Sequence, residues 1–177
     1  VRRSGEVSHP IPQGHSSNPV LDRLERLVAE VGDLQSKLIL LVGNGCKTLL
    51  LRQLAQRLSV APRNVGATLG HRLAATTATE RGFSTNELLR EVTDSARGNA
   101  PLLLDNLEVL FEPSLKINPL DLIKRLAHSR RVVAVWPGEM RDDRLVYACM
   151  GHPEYRDYSR DGVVVFETAQ GQQGTRT

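Results

Sequence analysis

The sequence predicts an α/β domain, a parallel sheet with helices on both faces. Three observations predict it. Short, continuously apolar runs alternate with stretches whose apolar residues recur every three or four positions. The runs end in groups of chemically capable residues, at 43–48, 105–108 and 136–138. The chain has 177 residues, 40% of them hydrophobic and 24% charged, which suits one globular domain with a substantial core. Ligands of open parallel sheets sit beyond the carboxyl ends of the strands. The second observation therefore locates a site as well as a fold.

The elements follow in order. Residues 1–17 are polar, contain Pro, Gly and Ser, and show no periodicity, so they read as a disordered tail; 169–177 read likewise. The folded domain is expected over 18–168. Asn18 before Pro19 is a helix start, because the amide side chain caps free N–H groups and proline lacks one there. Leu21, Leu24, Val28 and Val31 then give an amphipathic helix to about Leu34. The run 38–42 suits a strand buried on both faces. Residues 48–58 return to helical spacing through Leu50, Leu51, Leu54 and Leu58. A weak strand is expected near 64–67. Ser84 and Glu87 form a capping box for a helix through Leu88, Leu89 and Val92, ending near Gly98. Leu102, Leu103 and Leu104 make a strand closed by Asp105. Asn118 and Pro119 open a helix through Leu122, Ile123 and Leu126, and 131–136 form a strand stopped by Pro137 and Gly138. A polar, tyrosine-containing stretch follows, with 152–158 read as a polar loop, before a final strand at 163–166.

Composition excludes several classes. The longest apolar runs fall far short of the roughly 18 residues that cross a bilayer, so no membrane association is expected. Arg2 and Arg3 are followed by no apolar segment, so no signal peptide is evident. Two cysteines, Cys46 and Cys149, give neither a disulfide framework nor metal-ligand spacing. A cytoplasmic protein is expected. The five histidines are scattered and suggest no metal site. A net charge of +3 permits contact with nucleic acid without arguing for it. Lys116, Lys124, Arg125, Arg130 and Arg131 are the residues a DNA-binding role would use.

The chemistry concentrates after the first strand, where Gly43, Asn44, Gly45, Cys46, Lys47 and Thr48 lead into a helix. Glycines let backbone N–H groups turn inward, and the helix N-terminus adds partial positive charge for a phosphate. The lysine neutralises terminal phosphates and the threonine hydroxyl ligates Mg²⁺. Asp105, ending an apolar strand, is the matching carboxylate for the metal. This order predicts a P-loop NTPase of the RecA/AAA-like type, with no lid domain, using ATP and Mg²⁺. Thr48 and Asp105 are the candidate metal ligands. The loop is irregular, however. Three residues separate Gly43 from Lys47, fewer than in G-x-x-x-x-G-K-[ST], and Cys46 stands where glycine is usual. Either the strand frays so that Leu41 and Val42 join the loop, or the phosphate cradle is lost. A group orienting water for hydrolysis would be Asn106 or Glu108, the former no strong base. Arg130 is a candidate arginine finger across a subunit interface. Trp136 reads as a core or interface anchor.

The segments 21–43, 102–115, 117–142 and 144–158 resemble the BrxF family, small P-loop proteins of type III BREX bacteriophage-exclusion systems. The four segments hold 78 of the 151 residues of 18–168. It implies an ATPase-like component of an anti-phage complex that acts on foreign DNA, with other BREX defence proteins as partners. It places phosphate-loop roles on Gly43, Lys47 and Thr48 and the Walker B role on Asp105. Three expectations stand side by side: an ATP-binding subunit assembling with larger components or copies of itself, a non-catalytic adaptor that has lost ATP, and a DNA-binding accessory.

Overall fold

The computed structural model describes residues 18–77, 79–94 and 98–168. The expected tails, 1–17 and 169–177, lie outside the described residues. Helix α1 (Pro19–Glu30) begins as the sequence implies, with the Asn18 side chain accepting from the Val20 and Leu21 amides at 3.1 and 3.3 Å. It gives way at Val31 to a short 3-10 turn. Then come β1 (Leu38–Val42), α2 (Lys47–Leu58), β2 (Arg63–Asn64), α3 (Val65–Ala74), α4 (Arg81–Asp94) and β3 (Leu102–Asp105). Two 3-10 turns, Leu107–Phe111 and Pro113–Leu115, lead to α5 (Pro119–Leu126), whose cap is again an asparagine, Asn118. The chain closes with β4 (Val132–Val135), β5 (Glu139–Arg141), β6 (Arg144–Tyr147), β7 (Arg156–Ser159) and β8 (Val164–Glu167).

Five strands form one sheet in the order β2-β3-β4-β1-β8, every described pairing parallel. Because side chains alternate across a strand, β1 feeds two cores. Leu38, Leu40 and Val42 pack with α3, α5 and the 3-10 turns; Ile39 and Leu41 pack with α1 and α2. No residue of β1 is exposed. The α/β class and the parallel sheet covered on both faces follow directly.

Three expectations need correction. The strand placed at 64–67 is only Arg63–Asn64, and Val65 already opens α3, because the Asn64 side chain accepts from the Ala67 amide at 2.9 Å and starts a helix. Ser84 caps nothing: α4 starts at Arg81, and the Ser84 amide donates to the Glu80 carbonyl at 2.9 Å. The Thr77 hydroxyl instead donates to the Glu80 carboxylate at 2.7 Å and leads the chain in. The expected end near Gly98 adjoins residues 95–97, which lie outside the described residues. Finally, the polar stretch after β4 folds into a three-stranded antiparallel sheet, β5-β6-β7; of the expected loop 152–158, residues 152–155 are loop and 156–158 lie in β7. Asp142 and Asp143 both have positive φ, 49° and 64°, as a two-residue hairpin turn of the primed type requires. Among the described residues no helix is long and apolar enough to cross a membrane.

Candidate functional site

The connections decide where a ligand would sit. Strand β1 exits to α2 on one face, while its neighbour β4 exits into the small sheet, whose Met140, Leu145, Tyr147 and Tyr158 pack on the other. Adjacent parallel strands whose connections leave to opposite faces open a crevice at their carboxyl ends. Lys47 spans that crevice. Its Nζ donates to the Trp136 carbonyl at 2.7 Å and to the Gly138 carbonyl at 3.4 Å. Burial pulls the ammonium below its ordinary value, opposed by the nearby Glu108 carboxylate.

One residue on, the Thr48 hydroxyl donates to Asp105 Oδ1 at 3.1 Å. Asp105 is buried, 8% exposed, and also accepts from the Asn106 amide at 3.0 Å. A hydroxyl and a carboxylate oxygen this close suit a hard cation such as Mg²⁺, which takes oxygen ligands and keeps several waters. Thr48 and Asp105 are thus in direct contact, while Lys47, one residue earlier, is held by the carbonyls that follow β4.

The loop between them departs from expectation. Strand β1 does not fray: Leu41 pairs with Val135 and Val42 with Glu167, and the Val42 carbonyl accepts from the Thr168 amide at 2.8 Å. Leu41 and Val42 therefore stay in the sheet. The positive φ falls on Gly43, at 114°, where an added Cβ would lie 2.8 Å from the Thr168 carbonyl oxygen. Cys46 needs no left-handed conformation. Its φ of −73° and ψ of 63° make an inverse γ-turn, with the Lys47 amide donating to the Gly45 carbonyl at 2.8 Å. That amide is directed back into the loop. A cleft of about 640 Å³ runs along Gly43 and Asn44, bounded by Arg23, Glu139 and Glu167.

Of the hydrolytic candidates, Asn106 is exposed in a left-handed conformation, φ 55° and ψ 58°. Glu108 is exposed on the following 3-10 turn and lines a second cleft. Arg130 precedes β4, so it sits at the amino edge of the parallel sheet, away from residues 43–48. Trp136 is a core anchor. It is fully buried, its Nε1 donates to the Val146 carbonyl at 3.2 Å, and it meets Phe111 and Tyr158 edge to face. Sequence reasoning missed the carbonyls that hold Lys47. Their only trace was the strand-ending Pro137 and Gly138, and Gly138 is confined to glycine because a Cβ would lie 1.7 Å from the Val146 carbonyl oxygen. No group of three His, Cys, Asp or Glu able to hold a metal occurs among the described residues.

No family model, no curated protein and no solved structure matches the chain.

Proposed function

We propose that this chain is an ATP-binding subunit, at most weakly hydrolysing, of a bacterial anti-phage (BREX) defence complex, with nucleotide state controlling assembly with larger components. The observation that carries the nucleotide reading is the placement of Lys47 and Thr48 at the start of α2, with Thr48 Oγ1 3.1 Å from Asp105 at the sheet's crevice. In this reading Lys47 neutralises the terminal phosphates, Thr48 and Asp105 hold Mg²⁺, and Gly43 and Asn44 border the phosphates. The metal supplies charge neutralisation when bound. Lys47 exchanges main-chain carbonyls for phosphate oxygens, at a cost of about 0.5–1.5 kcal/mol per hydrogen bond given up. The resemblance of residues 21–43, 102–115, 117–142 and 144–158 to the BrxF family supports the defence pathway.

A second reading, an adaptor that keeps the α/β fold without ATP, is favoured by the loop. It is short, the Lys47 amide is bonded within it, and Lys47 Nζ already has partners. Calorimetric titration of the chain with ATP, with and without Mg²⁺, separates the two. Saturable binding strengthened by Mg²⁺ is expected; absence of heat and of thermal stabilisation at millimolar ATP would leave the adaptor.

A further inference from the structure

The second cleft lies between α3, the 3-10 turns after β3, and β6. We infer that it docks a protein segment presenting a cationic side chain beside an apolar one. The inference does not rest on the nucleotide reading.

The cleft holds about 520 Å³, within the range of roughly 300–1,000 Å³ typical of ligand pockets. Leu73, Val109 and Leu115 supply apolar wall, and Glu108, Glu112 and Glu154 supply charge. None of the three carboxylates belongs to an ion pair among the described residues. Arg81 is the one basic side chain on the lining, and its Nε donates to the Thr76 carbonyl at 3.2 Å. On the lining three carboxylates outnumber one guanidinium, and Glu108 also feels the Lys47 ammonium. Tyr147 forms an ordered aromatic wall: its ring stands 3.9 Å from that of Phe111, and its hydroxyl donates to Glu154 at 3.3 Å.

The combination selects its occupant. Arginine and lysine carry an aliphatic stem that lies on apolar surface and a charged end that seeks carboxylates. A guanidinium also stacks on aromatic rings. Nucleic acid is repelled by the same carboxylates that attract this group. A free polyamine satisfies the charge but has no apolar branch for Leu73, Val109 and Leu115, whereas a protein segment offers neighbouring side chains. Buried anchors of this mixed kind dominate protein interfaces.

The test titrates the chain calorimetrically with the blocked peptide Leu-Ala-Arg-Leu, its citrulline counterpart, and spermidine. The arginine peptide is expected to bind at least tenfold tighter than the citrulline peptide. The double variant Glu112→Gln, Glu154→Gln should lose that tenfold while its thermal unfolding stays unchanged; Glu112→Gln alone, at an exposed position, should lose part of it. Equal affinity for the two peptides, undiminished binding by a folded variant, or no binding of either peptide overturns the proposal. Spermidine binding as tightly as the arginine peptide also overturns it, making the cleft a small-polycation site.

Discussion

Lys47 illustrates how a single side chain carries both structure and chemistry. Its ammonium satisfies two carbonyls at the root of the small sheet, and in the proposed function the same group would move to phosphate. Lys47→Ala is expected to weaken ATP binding at least tenfold while changing stability by about 1 kcal/mol, the scale of a net hydrogen bond. Calorimetry and thermal melting check both, and unchanged ATP affinity removes Lys47 from the site. Asp105→Ala should weaken Mg²⁺-dependent binding more than Mg²⁺-free binding; equal losses make the carboxylate a turn residue. Tyr147 makes an alkaline prediction. Burial, with Glu154 and Glu108 adding, pushes its hydroxyl from an ordinary 10.0 up to about 12. A raised folded value means that the unfolded chain ionises first. The tyrosine's contribution is whole below pH 10 and is lost as pH rises through 12. Stability should fall across that window, and fall less in Tyr147→Phe. Equal alkaline slopes in the two proteins refute this.

The β1–α2 connection offers the sharpest prediction at the scale of elements. Because β1 stays paired to Val42, the strand cannot lengthen the loop. Inserting two residues between Gly43 and Lys47, with Cys46→Gly, should tighten ATP binding by about tenfold, or ~1.4 kcal/mol. A parent chain that binds ATP as tightly as the repaired one shows the short loop to be sufficient. The elements also show why the sequence was readable in some places and opaque in others. Caps made by Asn18 and Asn118 were legible because side-chain chemistry and proline act locally. The capping-box spacing fits Thr77/Glu80 as well as Ser84/Glu87, and since α4 already starts at Arg81, Ser84 lies inside the helix. The β5–β6 hairpin was hidden because Asp142 and Asp143 are weaker turn signals than Asn-Gly. Lys47, Thr48 and Asp105 were legible as residue types at strand ends. Their partners at Trp136 and Gly138 were not, since any residue supplies a carbonyl.

Across the whole molecule, charge and site are separated. The candidate phosphate residues lie at the carboxyl edge of the sheet, and residues 130–131 at the amino edge. There Arg131 is engaged: its guanidinium donates to the Val28 carbonyl at 3.5 Å and the Asn99 carbonyl at 2.6 Å, tying α1 to the approach to β3. Arg125 in turn donates to Asn86 at 3.2 Å. With these groups drawn into internal contacts, the isolated chain should bind duplex DNA weakly and with a shallow salt dependence. A fall in affinity of about 10³ between roughly 50 and 200 mM salt would indicate a set of phosphate contacts and reinstate a DNA-binding face.

Trp136 is the chain's single tryptophan, and its environment has an optical consequence. Its indole is sealed from water, hydrogen-bonded to Val146 at one end of the residue, while Lys47 grips its carbonyl at the other. Intrinsic emission excited at the indole band therefore comes from one address, where the parallel sheet hands over to the antiparallel one. Resting protein should emit toward the blue and resist acrylamide quenching. ATP that draws Lys47 away should perturb the spectrum of the parent chain and leave that of Lys47→Ala unmoved. A nucleotide-induced change of equal size in both would trace the signal to something other than this lysine.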